Sequence, residues 1–186
     1  MWTNLFYISQ ILKIKLEEKG MKEVVSNLYV CSQKDLENHV FDEEKCSYVL
    51  AAKNPFHKNA VGYTGKSCDK NHPEYLIARR GNKLILNMVD APYSIYFDKG
   101  TIDTALEFIE EELGEGKTIY VVCNAGQSRS ASLVLLYLIK QGIIQGETLE
   151  DCEVEFLRLY PEYNPGKGIR DFVKENFELY KYNLPF

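Results

Sequence analysis

The chain has 186 residues, of which 45% are hydrophobic and 26% charged, and it carries a formal net charge of -5. This composition excludes a disordered chain, and the length favours a single folded domain. A net negative chain is a poor general nucleic-acid binder, because phosphate backbones are bound through clustered Lys and Arg. The apolar run Leu5–Ile8 is too short to span a membrane, so neither a signal peptide nor a membrane anchor is expected.

The cysteine content favours a reducing compartment. The five cysteines form an odd set with no Cys-x-x-Cys pair and no histidines at metal-ligand spacing, which favours neither a disulfide framework nor a zinc site. We therefore expect a cytoplasmic protein that needs no metal or other cofactor and that has one reactive thiol. The five are Cys31, Cys46, Cys68, Cys123 and Cys152.

The chain begins with an amphipathic pattern. Apolar residues at 5, 8, 12 and 16 predict a helix within residues 1–20, ended by Gly20. Such a helix either packs on its own domain or binds a partner or a second copy of the chain, and the sequence leaves these alternatives open. Residues 21–186 are expected to form the folded domain itself.

Strand and helix patterns alternate through the rest of the chain. Runs rich in β-branched or aromatic residues predict strands over Asn27–Cys31, Ser47–Ala51, Lys83–Val89 and Lys117–Val122. Apolar periodicity and cap residues predict helices over 102–113, 130–141, 148–160 and 169–177. The alternation predicts an α/β fold with a central, largely parallel (mixed) sheet of four to five strands and helices on both faces. Its functional crevice is expected beyond the carboxyl ends of the strands.

Residues 53–83 form a basic insertion between two predicted strands. It carries seven Lys and Arg against two acidic residues, and it leaves the strand Ser47–Ala51 at its carboxyl end. The segment therefore either steers anionic substrates towards a pocket or is a solvated loop. His57 and His72 are expected to be surface residues rather than metal ligands, because no third ligand is spaced with them.

The loop at the expected crevice has the pattern of a phosphate cradle. The strand Ile119–Val122 delivers Cys123, and Arg129 opens an apolar helix. In such a turn successive backbone N–H groups converge on one anion, and the helix N-terminus adds partial positive charge. Gly126 permits a positive φ angle and a close backbone approach. The expected phosphate-binding residues are Asn124, Ala125, Gly126, Gln127, Ser128 and Arg129.

Three side chains of this loop carry the expected chemistry. Cys123 lies at the floor of the cradle as a nucleophile, where the helix end and Arg129 favour the thiolate. The planar fork of Arg129 can bind two non-bridging phosphate oxygens and stabilise the charge of the transition state. The hydroxyl of Ser130 is placed to donate a hydrogen bond to the sulfur when a thiophosphate breaks down.

The Cys-x5-Arg-Ser run resembles the signature loop of the cysteine-based protein tyrosine phosphatases, and Ala125–Ser130 is most similar to their dual-specificity branch. Val25–Val30 resembles that branch's first strand, and Asn164–Gly168 resembles the turn before its last helix. Val89 and Asp90, followed by Ile-Tyr-Phe at 95–97, resemble its general-acid segment. The resemblance covers roughly residues 25 to 180. It implies that Cys123 is the nucleophile, Arg129 the phosphate ligand, and Asp90 the acid that protonates the leaving oxygen and later activates water.

The acid assignment also has support in the chemistry of the reaction. An alkoxide or phenoxide leaves poorly without a proton, and Asp90 follows a strand that ends at the same expected sheet edge as Cys123. Asp98 is the competing carboxylate, but its position before Gly100 and Thr101 is typical of a helix cap. The chain departs from the family pattern at Val122, where His is usual, and at Cys31, where Gly is common.

These features predict a protein phosphatase that hydrolyses phosphotyrosine, with or without phosphoserine and phosphothreonine, through a cysteinyl-phosphate intermediate. Its partner is then a phosphorylated protein, with no nucleic acid and no membrane. Uncharged Asn124, Ala125 and Gln127 argue against a polyanionic substrate. Two alternatives stay open: a phosphate-binding pseudophosphatase, motivated by Val122, and a phosphatase of an inositol phosphate or an RNA 5' end.

Overall fold

The computed structural model describes residues 21–38, 42 and 44–182. The helix predicted within residues 1–20 lies outside these ranges, so the division into 1–20 and 21–186 stays a prediction. None of the helices within the described ranges combines the length and the apolar character that a membrane span requires.

A mixed sheet of six strands forms the centre of the fold, in the order β1-β2-β6-β3-β5-β4. The strands are β1 (Lys22–Val25), β2 (Leu28–Ser32), β3 (Cys46–Leu50), β4 (Ile77–Arg80), β5 (Lys83–Leu86) and β6 (Thr118–Cys123). The inner strands β2, β6, β3 and β5 are parallel, and each edge strand pairs antiparallel with its neighbour. The predicted α/β class with a largely parallel, mixed sheet is confirmed.

The expected count of four to five strands is wrong, because the sequences of the two edge strands lack the apolar pattern that predicts a strand. Strand β1 reads Lys-Glu-Val-Val and β4 reads Ile-Ala-Arg-Arg, so half of each strand is charged. An edge strand pairs on one side only and keeps part of its surface in water, so it tolerates charged side chains. Apolar periodicity therefore identified the inner strands and missed these two.

Helices cover both faces of the sheet. In the described residues they are α1 (Gln33–Glu37), α2 (Lys58–Val61), α3 (Lys99–Gly114), α4 (Arg129–Lys140), α5 (Leu149–Leu159), α6 (Lys167–Glu175) and α7 (Phe177–Lys181). Short helical turns also form at Lys53–His57 and Ser94–Tyr96. Thr148 and Asp151 make the predicted capping box at the start of α5, which fixes where that helix begins.

The sheet separates two buried apolar layers. Side chains of β6 alternate between them, with Val121 in the larger layer and Tyr120 and Val122 in the smaller one. The larger layer includes buried residues of α3 to α7, whereas the smaller one is bordered by Leu36 of α1 and residues of the insertion. Strand β6 is thus buried on both faces. Val122 lies in the smaller layer and is completely buried.

The basic insertion at 53–83 is more structured than a loop. It contains the turn Lys53–His57, helix α2 and strand β4. Arg79, Arg80 and Lys83 lie at the β4–β5 hairpin, at the opposite end of the sheet from Cys123. Arg79 pairs there with Glu112 at 3.5 Å. Of the two alternatives that the sequence left open, the steering of anionic substrates therefore does not apply to these three cations.

The expectation that His57 is a surface residue is also wrong. Its side chain is fully buried, and its Nε2 lies 2.8 Å from the carbonyl oxygen of Glu74. Its Nδ1 lies 3.4 Å from the hydroxyl of Tyr63. Burial lowers the pKa of His57 below its ordinary value of 6.5. The imidazole thus anchors the insertion as a neutral group, while His72 is half-buried.

Candidate active site

The loop between β6 and α4 curls tightly at the carboxyl edge of the sheet. Cys123 is the last residue of β6, and Arg129 is the first residue of α4. Gly126 has a φ of 77°, and a Cβ there would lie 3.1 Å from backbone atoms of Cys31 and Ser32. Only glycine therefore lets the loop pack against the end of β2. Its carbonyl accepts hydrogen bonds from the hydroxyls of Ser130 and Tyr160, each at 3.2 Å.

The sulfur of Cys123 is almost completely buried, with 1% of the residue exposed. The hydroxyl of Ser130 donates to Sγ at 3.1 Å and shares its proton with the carbonyl of Gly126. A hydroxyl has one proton for these two acceptors, so a charged sulfur attracts it more strongly than a neutral one does. The contact is suited to stabilising a thiolate that forms at this position.

Arg129 is buried and held at both ends of its guanidinium. Its Nη1 donates to the carbonyl of Met88 at 3.0 Å, and its Nη2 donates to Oδ1 of Asn124 at 2.7 Å. Its Nε has no hydrogen-bond partner within the described part of the chain. A guanidinium has five N–H donors, so three of them are left for a ligand. Such spare, fixed donors suit a phosphate group.

The side chain of Asn124 links the loop to the surrounding elements. Its amide nitrogen donates to Oε1 of Gln33 at 3.2 Å and to the carbonyl of Asn54 at 2.9 Å. Gln33 belongs to α1, and Asn54 belongs to the turn Lys53–His57. Asn124 thereby fixes the Nη2 end of Arg129 relative to two neighbouring elements.

Asp90 lies directly beside the loop. The Ser128 hydroxyl donates to Oδ1 of Asp90 at 3.3 Å and accepts the N–H of Gly166 at 2.9 Å. The N–H of Asn164 reaches the carbonyl of Gln127 at 3.0 Å, so residues 164–166 contact both the loop and the acid segment. The carboxylate of Asp90 is exposed towards solvent, where it can exchange protons with a ligand in the cradle.

The competing carboxylate, that of Asp98, forms its hydrogen bonds at the start of α3. Its Oδ1 accepts the backbone N–H of Thr101 at 2.7 Å and the Thr101 hydroxyl at 2.8 Å. These bonds make Asp98 the N-cap of α3, as its position in the sequence indicates.

The structure brings the predicted residues Cys123, Arg129, Ser130 and Asp90 to one corner of the molecule. Of the predicted phosphate-binding residues, Gly126 and Ser128 are buried, whereas Asn124, Ala125 and Gln127 are exposed at the rim. Four contributors were not predicted for this site: the carbonyl of Met88, Gln33, Tyr160 and Gly166. Gln33 and Tyr160 act through contacts with distant residues and match no local motif. Gly166 lies in the turn at 164–168 that resembles the family's, but the sequence gave it no role at this site.

The parallel inner strands and the Cys-x5-Arg loop at their carboxyl edge, in which Cys123 and Arg129 are buried, define a cysteine-phosphatase-like α/β protein. The family model of the dual specificity phosphatase catalytic domain matches residues 28–178. The chain therefore belongs to the dual specificity phosphatase family, as its sequence resemblance predicted.

Curated relatives support the same family. The chain is 29% identical over 124 residues to dual specificity protein phosphatase 8 of Mus musculus and, over the same length, to its Homo sapiens counterpart. The aligned region is 65% of this chain but only 16% of the mouse protein and 17% of the human one. The chain thus spans about a sixth of the length of these relatives.

Solved structures show the same fold at low sequence identity. The human tyrosine phosphatase-like serine/threonine/tyrosine-interacting protein aligns with a TM-score of 0.61 at 19% identity, covering 86% of this chain and 97% of that one. PTPMT1, crystallised with PI(5)P, aligns with a TM-score of 0.60 at 15% identity, covering 88% and 98% of the two chains. A leucine rich repeat and phosphatase domain protein from Entamoeba histolytica aligns with a TM-score of 0.61 at 14% identity, covering 90% and 97%.

Proposed function

We propose that this protein hydrolyses phosphate monoesters of proteins, phosphotyrosine first and phosphoserine and phosphothreonine in addition, through a cysteinyl-phosphate intermediate. One observation carries the proposal. The buried sulfur of Cys123 accepts a hydrogen bond from the Ser130 hydroxyl at 3.1 Å. In the same loop, the Nε–H of Arg129 has no hydrogen-bond partner among the described residues. This is the environment that a thiolate nucleophile and a phosphate group require.

In the first step the thiolate of Cys123 attacks phosphorus, and the bond from phosphorus to the ester oxygen breaks. Arg129 and the loop N–H groups bind the non-bridging oxygens and stabilise their charge in the transition state. Asp90, in its protonated form, gives its proton to the departing oxygen, so the product leaves as an alcohol or a phenol. The enzyme then carries phosphate on its sulfur, and Asp90 is a carboxylate.

In the second step a water molecule attacks the phosphorus, and the bond from phosphorus to sulfur breaks. The carboxylate of Asp90 takes the proton of the water and is ready for the next cycle. The sulfur leaves as a thiolate, which the hydroxyl of Ser130 stabilises by donation. Inorganic phosphate is released, and neither step changes an oxidation state.

The character of the rim supports a protein substrate. The segment after Asp90 exposes Tyr93, Ile95 and Tyr96, and Ile95 is 86% accessible. A polypeptide presents apolar side chains beside its phosphorylated residue, whereas an inositol polyphosphate presents further phosphates that call for added cations. The exposed loop positions add no charge, since they are Asn124, Ala125 and Gln127.

The decisive experiment compares the unchanged protein with Cys123→Ser on p-nitrophenyl phosphate, on peptides carrying each of the three phosphorylated residues, and on a phosphoinositide. We expect hydrolysis of the aryl phosphate and of the phosphotyrosine peptide, and loss of both in the variant. Cys46→Ser is the matched control, because Cys46 is a buried thiol at the far end of β3. Equal rates for the unchanged protein and Cys123→Ser would end the enzyme proposal. Peptide binding without turnover would identify a phosphate-binding module, and faster turnover of the phosphoinositide would redirect the substrate class.

A further inference from the structure

Gly166, the residue that caps α6, lies directly behind the carboxylate of Asp90. A Cβ at position 166 would lie 2.5 Å from Oδ1 of Asp90 and 3.4 Å from Oγ of Ser128. Real Cβ atoms do not approach other atoms within 3.0 Å, so any side chain here displaces the carboxylate. The space that Asp90 occupies therefore exists because residue 166 has no side chain.

The backbone at this position does not itself require glycine. Gly166 has φ -61° and ψ 149°, an extended conformation open to any residue. Its N–H donates to Oγ of Ser128, a bond that alanine can also make. The only feature lost on replacement by alanine is the slot that holds the carboxylate.

The hydrogen bonds around the slot orient the carboxylate. Because the N–H of Gly166 occupies a lone pair of Ser128, the hydroxyl proton of Ser128 is directed to Oδ1 of Asp90. Within the described residues no hydrogen bond reaches Oδ2 of Asp90, which leaves that oxygen to exchange a proton with a ligand. Ser128 immediately precedes Arg129, so the carboxylate is held in register with the phosphate-binding loop.

Residues after Asp90 are packed on α6 at the level of the backbone. A Cβ at Gly168 would lie 2.1 Å from the carbonyl oxygen of Ala91 and 2.8 Å from the nitrogen of Tyr93. The Ser94 hydroxyl donates to Glu175 at 3.0 Å. The backbone that follows Asp90 is therefore packed against α6. Only the side chain of Asp90, which lies in the slot, can still change its position.

We propose that Gly166 is the positioning residue for proton transfer by Asp90, because its missing side chain forms the slot that aims the carboxylate at the leaving oxygen. This inference rests on the proposed function. It predicts that Gly166→Ala mimics the loss of the acid while the phosphate-binding loop and the fold stay intact. The displaced group is the end of a flexible side chain, so the cost to folding is small.

The test compares two substrates that differ in their need for the proton. Phenyl phosphate has a poor leaving group, and p-nitrophenyl phosphate has a good one. We expect Gly166→Ala to lower kcat/KM for phenyl phosphate by about 100-fold, the lower end of what general acid catalysis supplies. The loss for p-nitrophenyl phosphate should be clearly smaller, because p-nitrophenoxide is a weaker base than phenoxide and needs the proton less.

Combining Gly166→Ala with Asp90→Asn distinguishes a role of Gly166 in positioning the carboxylate from a general disturbance of the structure. In an Asp90→Asn background Gly166→Ala should cost nothing further, because both changes remove the same proton transfer. Gly114→Ala is the matched control, since a Cβ at that helix-end glycine meets nothing within 4 Å. The rate of Cys123 alkylation should be unchanged in Gly166→Ala, which reports an intact loop.

The outcomes distinguish this inference from the function on which it rests. Hydrolysis that Cys123→Ser abolishes supports the proposed function whatever Gly166→Ala does. Equal losses on the two esters, or losses that add to those of Asp90→Asn, would overturn the role of Gly166 alone. Failure of the unchanged protein to hydrolyse either ester would overturn the proposed function and the role of Gly166 together.

Discussion

Removal of the Ser130 hydroxyl should slow the second chemical step far more than the first. The hydroxyl donates to Sγ of Cys123 at 3.1 Å, and Ser130→Ala deletes this donor while keeping the helix residue buried. A hydrogen bond to a charged group contributes about 1.5–3 kcal/mol, which corresponds to roughly ten- to a hundredfold in rate. Its other acceptor, the carbonyl of Gly126, keeps a bond from Tyr160 at 3.2 Å, so the loop should keep its shape.

The two steps respond differently because the sulfur changes role between them. In the first step the thiolate is the attacking group, and losing a donor makes it no weaker as a nucleophile. In the second step the sulfur is the leaving group, and it becomes a thiolate without its donor. We therefore expect the cysteinyl-phosphate to accumulate in Ser130→Ala.

Rapid mixing of excess p-nitrophenyl phosphate with Ser130→Ala measures this accumulation directly. The expected trace is a burst of nearly one equivalent of p-nitrophenol per enzyme, followed by a steady rate about ten- to a hundredfold below that of the unchanged protein. Ser132→Ala is the matched control, because it removes a buried hydroxyl from the same helix at a position that does not contact the sulfur. A lower steady rate without a burst would place the loss in the first step and refute the reasoning.

Two further predictions concern the supports of the site. Tyr160→Phe removes the donor to the Gly126 carbonyl, so thermal or urea denaturation should show about 1 kcal/mol lower stability, and unchanged stability would mean that Ser130 suffices. Burial lowers the pKa of His57 below 6.5, so the folded protein binds its proton less readily than the unfolded chain. Stability should therefore be retained above pH 6.5 and fall as the pH drops below it. This slope should be smaller in His57→Gln when urea midpoints at pH 7.5 and 5.5 are compared, and an identical slope would exclude His57 as its source.

Local sequence by itself determined the class of the protein and the centre of its site. The inner strands, the helices that follow them and the capping box at Thr148 arise from interactions between residues close in the chain, so periodicity and cap residues reveal them. The Cys-x5-Arg-Ser run is likewise one continuous turn, in which Cys123, Arg129 and Ser130 are placed by a single strand, loop and helix. The match of residues 28–178 to the family model confirms the family that this run indicated.

Tertiary structure decided how the loop is held and what surrounds it. The bond from Tyr160 to Gly126 joins residues 34 positions apart, and the contacts of Ser128 with Asp90 and Gly166 each span 38. Such contacts leave no periodic signal, because each depends on how separate elements pack. Burial of His57 was mispredicted for the same reason, and the sequence left the place of the basic hairpin open, since neither ligand spacing nor charge patterns report how a segment packs on the sheet.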